Sequence, residues 1–279
     1  QDTIEHGSLH KPIHANVAYG YEDARDLAAV FQGEKSGYSY GRQVNPTVTA
    51  LESKITTMEN GLASVCFGTG MGAIGTTLFS LLRSGDHMVS SAFLFGNTNS
   101  LFNTFGKMGI DVSFVDATSV DAVAEAVTEN TRLVFVETIA NPRTQIADLQ
   151  QIGEFCAQRG LVYVVDNTMT SPYLFQPKSV GASLVITSLT KYVGGHGTAL
   201  GGARGDASTA GGSATDSSAE GRPRFGETVL EGLWASWTLL LRRSRRRPRP
   251  SAERGDGVAS ARELRDLLRK VMGRASIKV

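Results

Sequence analysis

The run Leu161-Val162-Tyr163-Val164-Val165-Asp166-Asn167-Thr168 and, about twenty residues later, Ser188-Leu189-Thr190-Lys191-Tyr192 decide the fold of this chain. Leu161 to Val165 is a short apolar run of strand length that ends in an acid, and Leu184-Val185-Ile186-Thr187 is a second that leads to a lysine. In an open parallel sheet the carboxyl ends of the strands face the crevice where ligands bind, so Asp166 and Lys191 are expected there together. An acid and a lysine so placed suit pyridoxal phosphate. That cofactor works as an electron sink when a lysine holds its aldehyde as a Schiff base and a carboxylate keeps its ring nitrogen protonated.

Outward from this pair, strands alternate with helices. A helix is expected from Thr47, with Val48, Leu51, Ile55 and Met58 on one face and Gly61 as its stop. Apolar strands are expected at 63–67, 87–90, 112–115, 133–136, 161–165 and 184–187, separated by helical spacing at 71–82, 101–109, 120–129 and 149–158. Such alternation implies an α/β domain, a mostly parallel sheet with helices on both faces. The segment Gly68-Thr69-Gly70-Met71-Gly72-Ala73-Ile74-Gly75 sits between the first strand and its helix, where backbone amides and the helix dipole attract phosphate. Gly70, Gly72 and Gly75 form a literal G-x-G-x-x-G. This admits a dinucleotide-binding oxidoreductase as an alternative, but no acid falls cleanly at the end of a second strand about twenty residues on. A single-phosphate cradle explains the loop and Lys191 together.

Over 279 residues the hydrophobic fraction of 41% is that of a globular protein. No apolar run reaches membrane-spanning length and no signal peptide is read, so a cytoplasmic protein without a membrane partner is expected. Cys66 and Cys156 lie in apolar segments and are expected to be buried fillers. His6, His10 and His14 are four apart, as zinc ligands on a helix would be, but Gly7 and Pro12 interrupt such a helix and no metal site is expected. Residues 1–46 are expected to form an irregular arm.

The net charge of +1 hides an asymmetry: residues 1–202 carry 12 basic and 18 acidic side chains, residues 203–279 carry 16 and 9. The second part is rich in Gly, Ala and Ser to Ala219, then carries the run Arg242-Arg243-Ser244-Arg245-Arg246-Arg247. Helical spacing returns briefly at 229–241 and 261–272. Residues 203–279 are therefore expected to be an aberrant, largely disordered tail, with a shifted reading frame after about Gly202 as the favoured origin and nucleic-acid binding by the arginines disfavoured.

Taken together, these motifs resemble the Cys/Met metabolism family of pyridoxal-phosphate enzymes, which includes cystathionine γ-synthase, methionine γ-lyase and O-acetylhomoserine sulfhydrylase. The likeness runs over roughly residues 10–202. Tyr40-Gly41-Arg42-Gln43-Val44-Asn45-Pro46-Thr47 is similar to the family's Tyr-x-Arg-x-x-Asn-Pro-Thr segment, and Ser188-Leu189-Thr190-Lys191 to its Ser-x-Thr-Lys motif. Ser188 or Thr190 alone could be a cap, Asn141-Pro142 a turn and Arg42 a surface charge; the set, in order, is what carries the resemblance.

The resemblance implies the large domain of a fold-type I enzyme at 47–202, with the small C-terminal domain missing or replaced. It implies Lys191 as the Schiff-base lysine, Asp166 against the pyridine nitrogen, and Asn141 near the ring hydroxyl. Gly70 and Met71 would hold the phosphate by their backbone and Ser188 and Thr190 by their hydroxyls, with Thr168 also at the cofactor. Tyr40 and Arg42, on the 1–46 arm, would reach the phosphate of a neighbouring subunit, so a dimer or tetramer is implied. Phe95 falls where the family's ring-stacking tyrosine is usual, and the family's carboxylate-binding arginine has no recognisable counterpart after Gly202. The implied activity is γ-elimination or γ-replacement on sulfur or homoserine-derived amino acids. The alternative is a catalytically impaired, truncated or frameshifted member that only binds cofactor or partner subunits.

Overall fold

The computed structural model describes residues 12–207. Seven strands, β1 (Ala63–Phe67), β2 (His87–Ser91), β3 (Asp111–Val115), β4 (Thr131–Glu137), β5 (Val162–Asp166), β6 (Leu184–Thr187) and β7 (Gly202–Asp206), make one sheet in the order β1-β7-β6-β5-β4-β2-β3. The β2–β3, β2–β4, β4–β5 and β5–β6 pairs are parallel; β7 runs antiparallel to both β1 and β6. The helices are α1 (Ala24–Phe31), α2 (Pro46–Glu59), α3 (Gly70–Leu81), α4 (Gly96–Phe105), α5 (Val120–Ala126), α6 (Leu149–Arg159) and the single turn α7 (Ser171–Leu174).

The two-residue period of the strands divides the core. Along β4, Leu133 and Phe135 pack with Ala73, Ile74 and Leu78 of α3 and Phe102 and Phe105 of α4. Val134 and Val136 point the other way, to Val123 of α5 and Leu149, Ile152 and Cys156 of α6. Burying a side chain such as Phe135 contributes about 2–3 kcal/mol, and its edge-on contact with Phe102, centroids 5.1 Å apart, adds about 0.5–1.5 kcal/mol. A third cluster joins Leu51 and Ile55 of α2 to Cys66, Leu189 and Ala203.

Helix α2 starts as its sequence requires. Asn45 caps it, its Oδ1 accepting from Thr47 N at 2.9 Å, and Pro46 takes the first turn, where no amide is needed. The stop is Asn60, left-handed at φ 51°, one residue ahead of the expected Gly61.

Two expectations are corrected. The boundary after Gly202 falls inside the sheet: Ala203 to Asp206 belong to β7, hydrogen-bonded on both sides, and cannot be tail. The strand escapes an apolar search because its burial comes from close backbone approach. A Cβ on Gly202 would lie 2.8 Å from Gly70 Cα and collide with Thr69 O. The arm is also less irregular than expected, since α1 forms within it, capped by Asp23 Oδ1 accepting from Arg25 N at 2.8 Å. The expectations for 208–279, and for His6 and His10, lie outside the described residues.

Candidate functional site

Asp166 closes β5 with its side chain on the α3/α4 face of the sheet, two residues beyond Val164, and is 8% exposed. Its Oδ1 accepts from Thr168 N at 2.9 Å. Burial pushes the carboxyl above its ordinary value, and the Thr168 hydroxyl and amide pull it back by favouring the anion. The Thr168 hydroxyl oxygen also accepts from Ser188 N at 2.8 Å. One threonine thereby ties the acid at the end of β5 to the first residue after β6.

The Ser188–Gly195 turn follows. Lys191 N donates to Ser188 O at 3.2 Å, Gly194 N to Leu189 O at 2.8 Å and Gly195 N to Lys191 O at 2.7 Å, which presents Lys191 on an exposed bend beyond the strand end. Thr190 is used differently from the expectation of a phosphate-holding hydroxyl. Its Oγ1 donates to Gly201 O at 3.0 Å and accepts from Gly201 N at 2.9 Å, clamping the turn to the entry of β7 and spending its single proton there. Ser188 lies against the start of α3: a Cβ on Gly70 would meet Ser188 Cβ at 2.8 Å and Oγ at 2.9 Å, so only glycine permits this approach. Thr69 caps α3, its Oγ1 accepting from Gly72 N at 2.9 Å, while the amides of Gly70 and Met71 fall in the first turn without helical acceptors. Ser188, Gly70 and Met71 therefore converge at one corner.

Across the strand ends, Phe95, 39% exposed, caps the start of α4, its amide donating to Glu137 Oε1 at 2.7 Å. Asn141 follows β4 and is exposed; its peptide bond to Pro142 is cis. Glu137, not singled out from the sequence, is 7% exposed and pairs in register with Asp166. The signal was available, since Glu137 ends an apolar strand just as Asp166 does.

Tyr40 and Arg42 lie on the N-terminal arm. Tyr40 bridges Ala18, Gly41 N donates to Val17 O at 2.6 Å, and the Arg42 guanidinium lies over the Tyr40 ring, 4.8 Å from its centroid. His14 is docked on α2 through its amide, which donates to Thr47 Oγ1 at 2.9 Å, and the described residues hold no cluster of three potential metal-ligating side chains. Cys66 and Cys156 are free and buried, and burial pushes the Cys156 thiol up to about 12, which suits fillers rather than nucleophiles. Among the described residues no helix is long and apolar enough to cross a membrane.

This donor set fits pyridoxal phosphate: a buried strand-end carboxylate, a lysine one strand away, and an amide-lined corner against Ser188 that a Cβ at Gly70 would fill. It does not fit a dinucleotide fingerprint. Gly70, Gly72 and Gly75 all lie within α3 rather than in a loop before it, and a Cβ at Gly75 would find ordinary contacts at 3.9 Å, so that glycine is not required.

Comparison with known proteins agrees. L-methionine gamma-lyase from Fusobacterium nucleatum subsp. polymorphum is 39% identical over 199 residues, 71% of this chain and 50% of that protein. Cystathionine gamma-lyase from Bacillus subtilis is 40% identical over 171 residues, 61% of this chain and 45% of that protein. A crystal structure assigned as an O-acetylhomoserine (thiol)-lyase of Campylobacter jejuni, which carries N'-pyridoxyl-lysine-5'-monophosphate, superposes with a TM-score of 0.69 at 34% identity, over 72% of this chain and 50% of its own. The chain spans about half the length of these relatives. With the family's sequence model matching residues 1–218, the buried acid, the lysine bend and the glycine corner belong to a member of the Cys/Met metabolism PLP-dependent enzyme family.

Proposed function

We propose that this chain carries the cofactor-binding half of an enzyme that performs γ-elimination or γ-replacement on sulfur or homoserine-derived amino acids. The observation that carries the reading is the Asp166–Thr168–Ser188 linkage, which fixes a buried carboxylate and the Lys191 bend on adjacent strands. Bound pyridoxal phosphate supplies an electron sink for charge developing at the substrate α-carbon. Asp166 would hold the proton on the pyridine nitrogen; burial raises the carboxyl's own proton affinity, and the two Thr168 bonds pull it back towards the anion. Lys191 Nζ would anchor the cofactor, and its free amine would serve as the base that carries a proton at the substrate's α and β carbons. The amides of Gly70 and Met71 and the Ser188 hydroxyl would hold the phosphate, while Thr190 shapes the turn that places Ser188 and Lys191. Phe95 would offer the cofactor an aromatic face without a hydroxyl for a leaving group, and Asn141 would help to hold it.

Tyr40 and Arg42 complete a neighbouring subunit's phosphate site, which makes the working form a homodimer or tetramer. The arm's own pairing, Tyr40 with Ala18 and Gly41 N with Val17 O, supports this. Two buried, unpaired cysteines support a reducing, cytoplasmic setting.

The test is to add pyridoxal phosphate, follow its bound absorption band, and assay release of keto acid and ammonia from methionine, cystathionine and O-acetylhomoserine, with and without an added thiol. A band with turnover supports the proposal. A band without turnover favours a cofactor-binding member that no longer catalyses, and neither band nor turnover overturns the reading.

A further inference from the structure

Strands β4 and β5 each end in a buried acid, and only one of the two has a role above. Glu137 and Asp166 are paired in register on adjacent parallel strands and project to the same face. Two ionised carboxylates so placed repel at close range in a medium that screens poorly, so one of them holds a proton. The hydrogen bonds differ in kind. Asp166 takes a hydroxyl and an amide from Thr168, two residues along its own chain. Glu137 takes the amide of Phe95, 42 residues away at the start of α4, at 2.7 Å, and that of Asn141. The start of α4 has no side-chain cap of its own, so the Glu137 carboxyl is what fixes it.

We propose that Glu137 is a positioning residue, whose carboxyl oxygen clamps the Phe95 amide and so sets the stacking ring against the ends of β4 and β5. The inference rests on the pyridoxal-phosphate reading for its purpose but not for its geometry. Burial and the neighbouring Asp166 carboxylate push Glu137 up to about 8, so at neutral pH it is the neutral acid. Gln145, whose buried Oε1 has no hydrogen-bond partner among the described residues, lines the same small cavity as Glu137. A neutral acid with one carbonyl oxygen committed to an amide is closely imitated by glutamine, which separates the clamp from the charge.

Glu137→Ala and Glu137→Gln are compared with the unchanged chain after confirming parent-like far-UV circular dichroism. Without cofactor, hydrogen exchange at the Phe95 amide is expected to accelerate by about ten-fold or more in Glu137→Ala, the loss of one amide bond to a buried acceptor. In Glu137→Gln it is expected to stay within about three-fold of parent. With pyridoxal phosphate, Glu137→Ala is expected to bind about ten-fold more weakly and to change the induced circular dichroism of the bound cofactor, and Glu137→Gln to match the parent in both. Parent-like exchange at Phe95 in Glu137→Ala overturns the inference, as does a folded Glu137→Gln with a loosened Phe95 amide. If Glu137→Ala does not fold, the Gln variant alone decides: parent-like exchange supports the clamp and faster exchange overturns it. Failure of the unchanged chain to bind cofactor would overturn the functional reading instead, and the exchange result would still judge Glu137.

Discussion

Strands β4 and β5 fill the middle of the sheet with Leu133, Val134, Phe135, Val136, Tyr163, Val164 and Val165, whereas β7, two places from β5, carries Gly202, Ala203, Arg204, Gly205 and Asp206. Both regions are largely buried, for different reasons. The first excludes water with apolar side chains on both faces. The second does so because glycines let the backbone of Thr69 and Gly70 come within contact of β7, pulling the start of α3 towards Ser188. The acids under the two regions differ in the same way. Asp166, at the open end of β5, has donors from Thr168 that favour its anion. Glu59, beneath β6 and β7, has only the Thr187 hydroxyl on Oε1 at 3.0 Å, and its Oε2 has no partner among the described residues. The parallel centre holds the strand-end acid by donated hydrogen bonds, and the antiparallel corner is set by close backbone approach.

The comparison breaks most visibly at Gly202. Gly202→Val drives a side chain into Thr69 and Gly70 and should cost about 3 kcal/mol, read from the urea midpoint, with cofactor affinity falling alongside. A tolerated valine would mean that the corner can open without consequence. Asp166→Asn should act oppositely: stability and cofactor affinity stay near parent while turnover falls by about 100-fold, the loss of one charge aimed at the reacting system. Equal loss of binding and turnover would make Asp166 a structural acid like Glu59.

Glu59 gives a pH signature. Burial pushes it up to about 7 from an ordinary 4.5, so between those values the folded chain keeps a proton that the unfolded chain has released. Stability contributed by the neutral acid is therefore lost as pH rises through that window and levels off above it. Glu137, pushed up to about 8, extends the decline in the same direction. Glu59→Gln should stabilise the chain by about 2 kcal/mol at pH 8, have little effect at pH 5, and flatten the slope between. A larger gain at pH 5 would reverse the assignment. The smallest effect is expected for Thr168→Val, which strips the oxygen accepting from Ser188 N and should cost about 1 kcal/mol of stability. That variant should also raise the pH at which Asp166 ionises.

Much of this architecture is legible in the sequence, and the gaps have physical causes. Strands 63–67 and 184–187 are legible to the residue: apolar side chains bury most of the second, while the first is buried only at Cys66 and Phe67 and is marked by Gly61 before it and Gly68 after it. β7 was invisible because glycine and a charged pair, Arg204 donating to Asp206 Oδ2 at 3.1 Å, look like surface composition. α4 begins at Gly96, five residues ahead of its apolar pattern, since its first turn, Gly96-Asn97-Thr98-Asn99, is held by the bond from Phe95 to Glu137 rather than by burial of large side chains. Asp166, Ser188 and Lys191 could be placed together because each follows a recognisable strand. That Thr190 turns its hydroxyl to Gly201, and that Glu137 reaches across to Phe95, are contacts over distances that no local pattern encodes.

The central claim, that the bend after β6 presents the cofactor-bearing lysine beside Asp166, is tested most directly by borohydride reduction of the chain with pyridoxal phosphate, followed by peptide mapping. The account predicts a single pyridoxyl group on Lys191, absent in Lys191→Ala while that variant keeps its fold. A pyridoxyl group fixed on another lysine, or an undiminished label in Lys191→Ala, would contradict it.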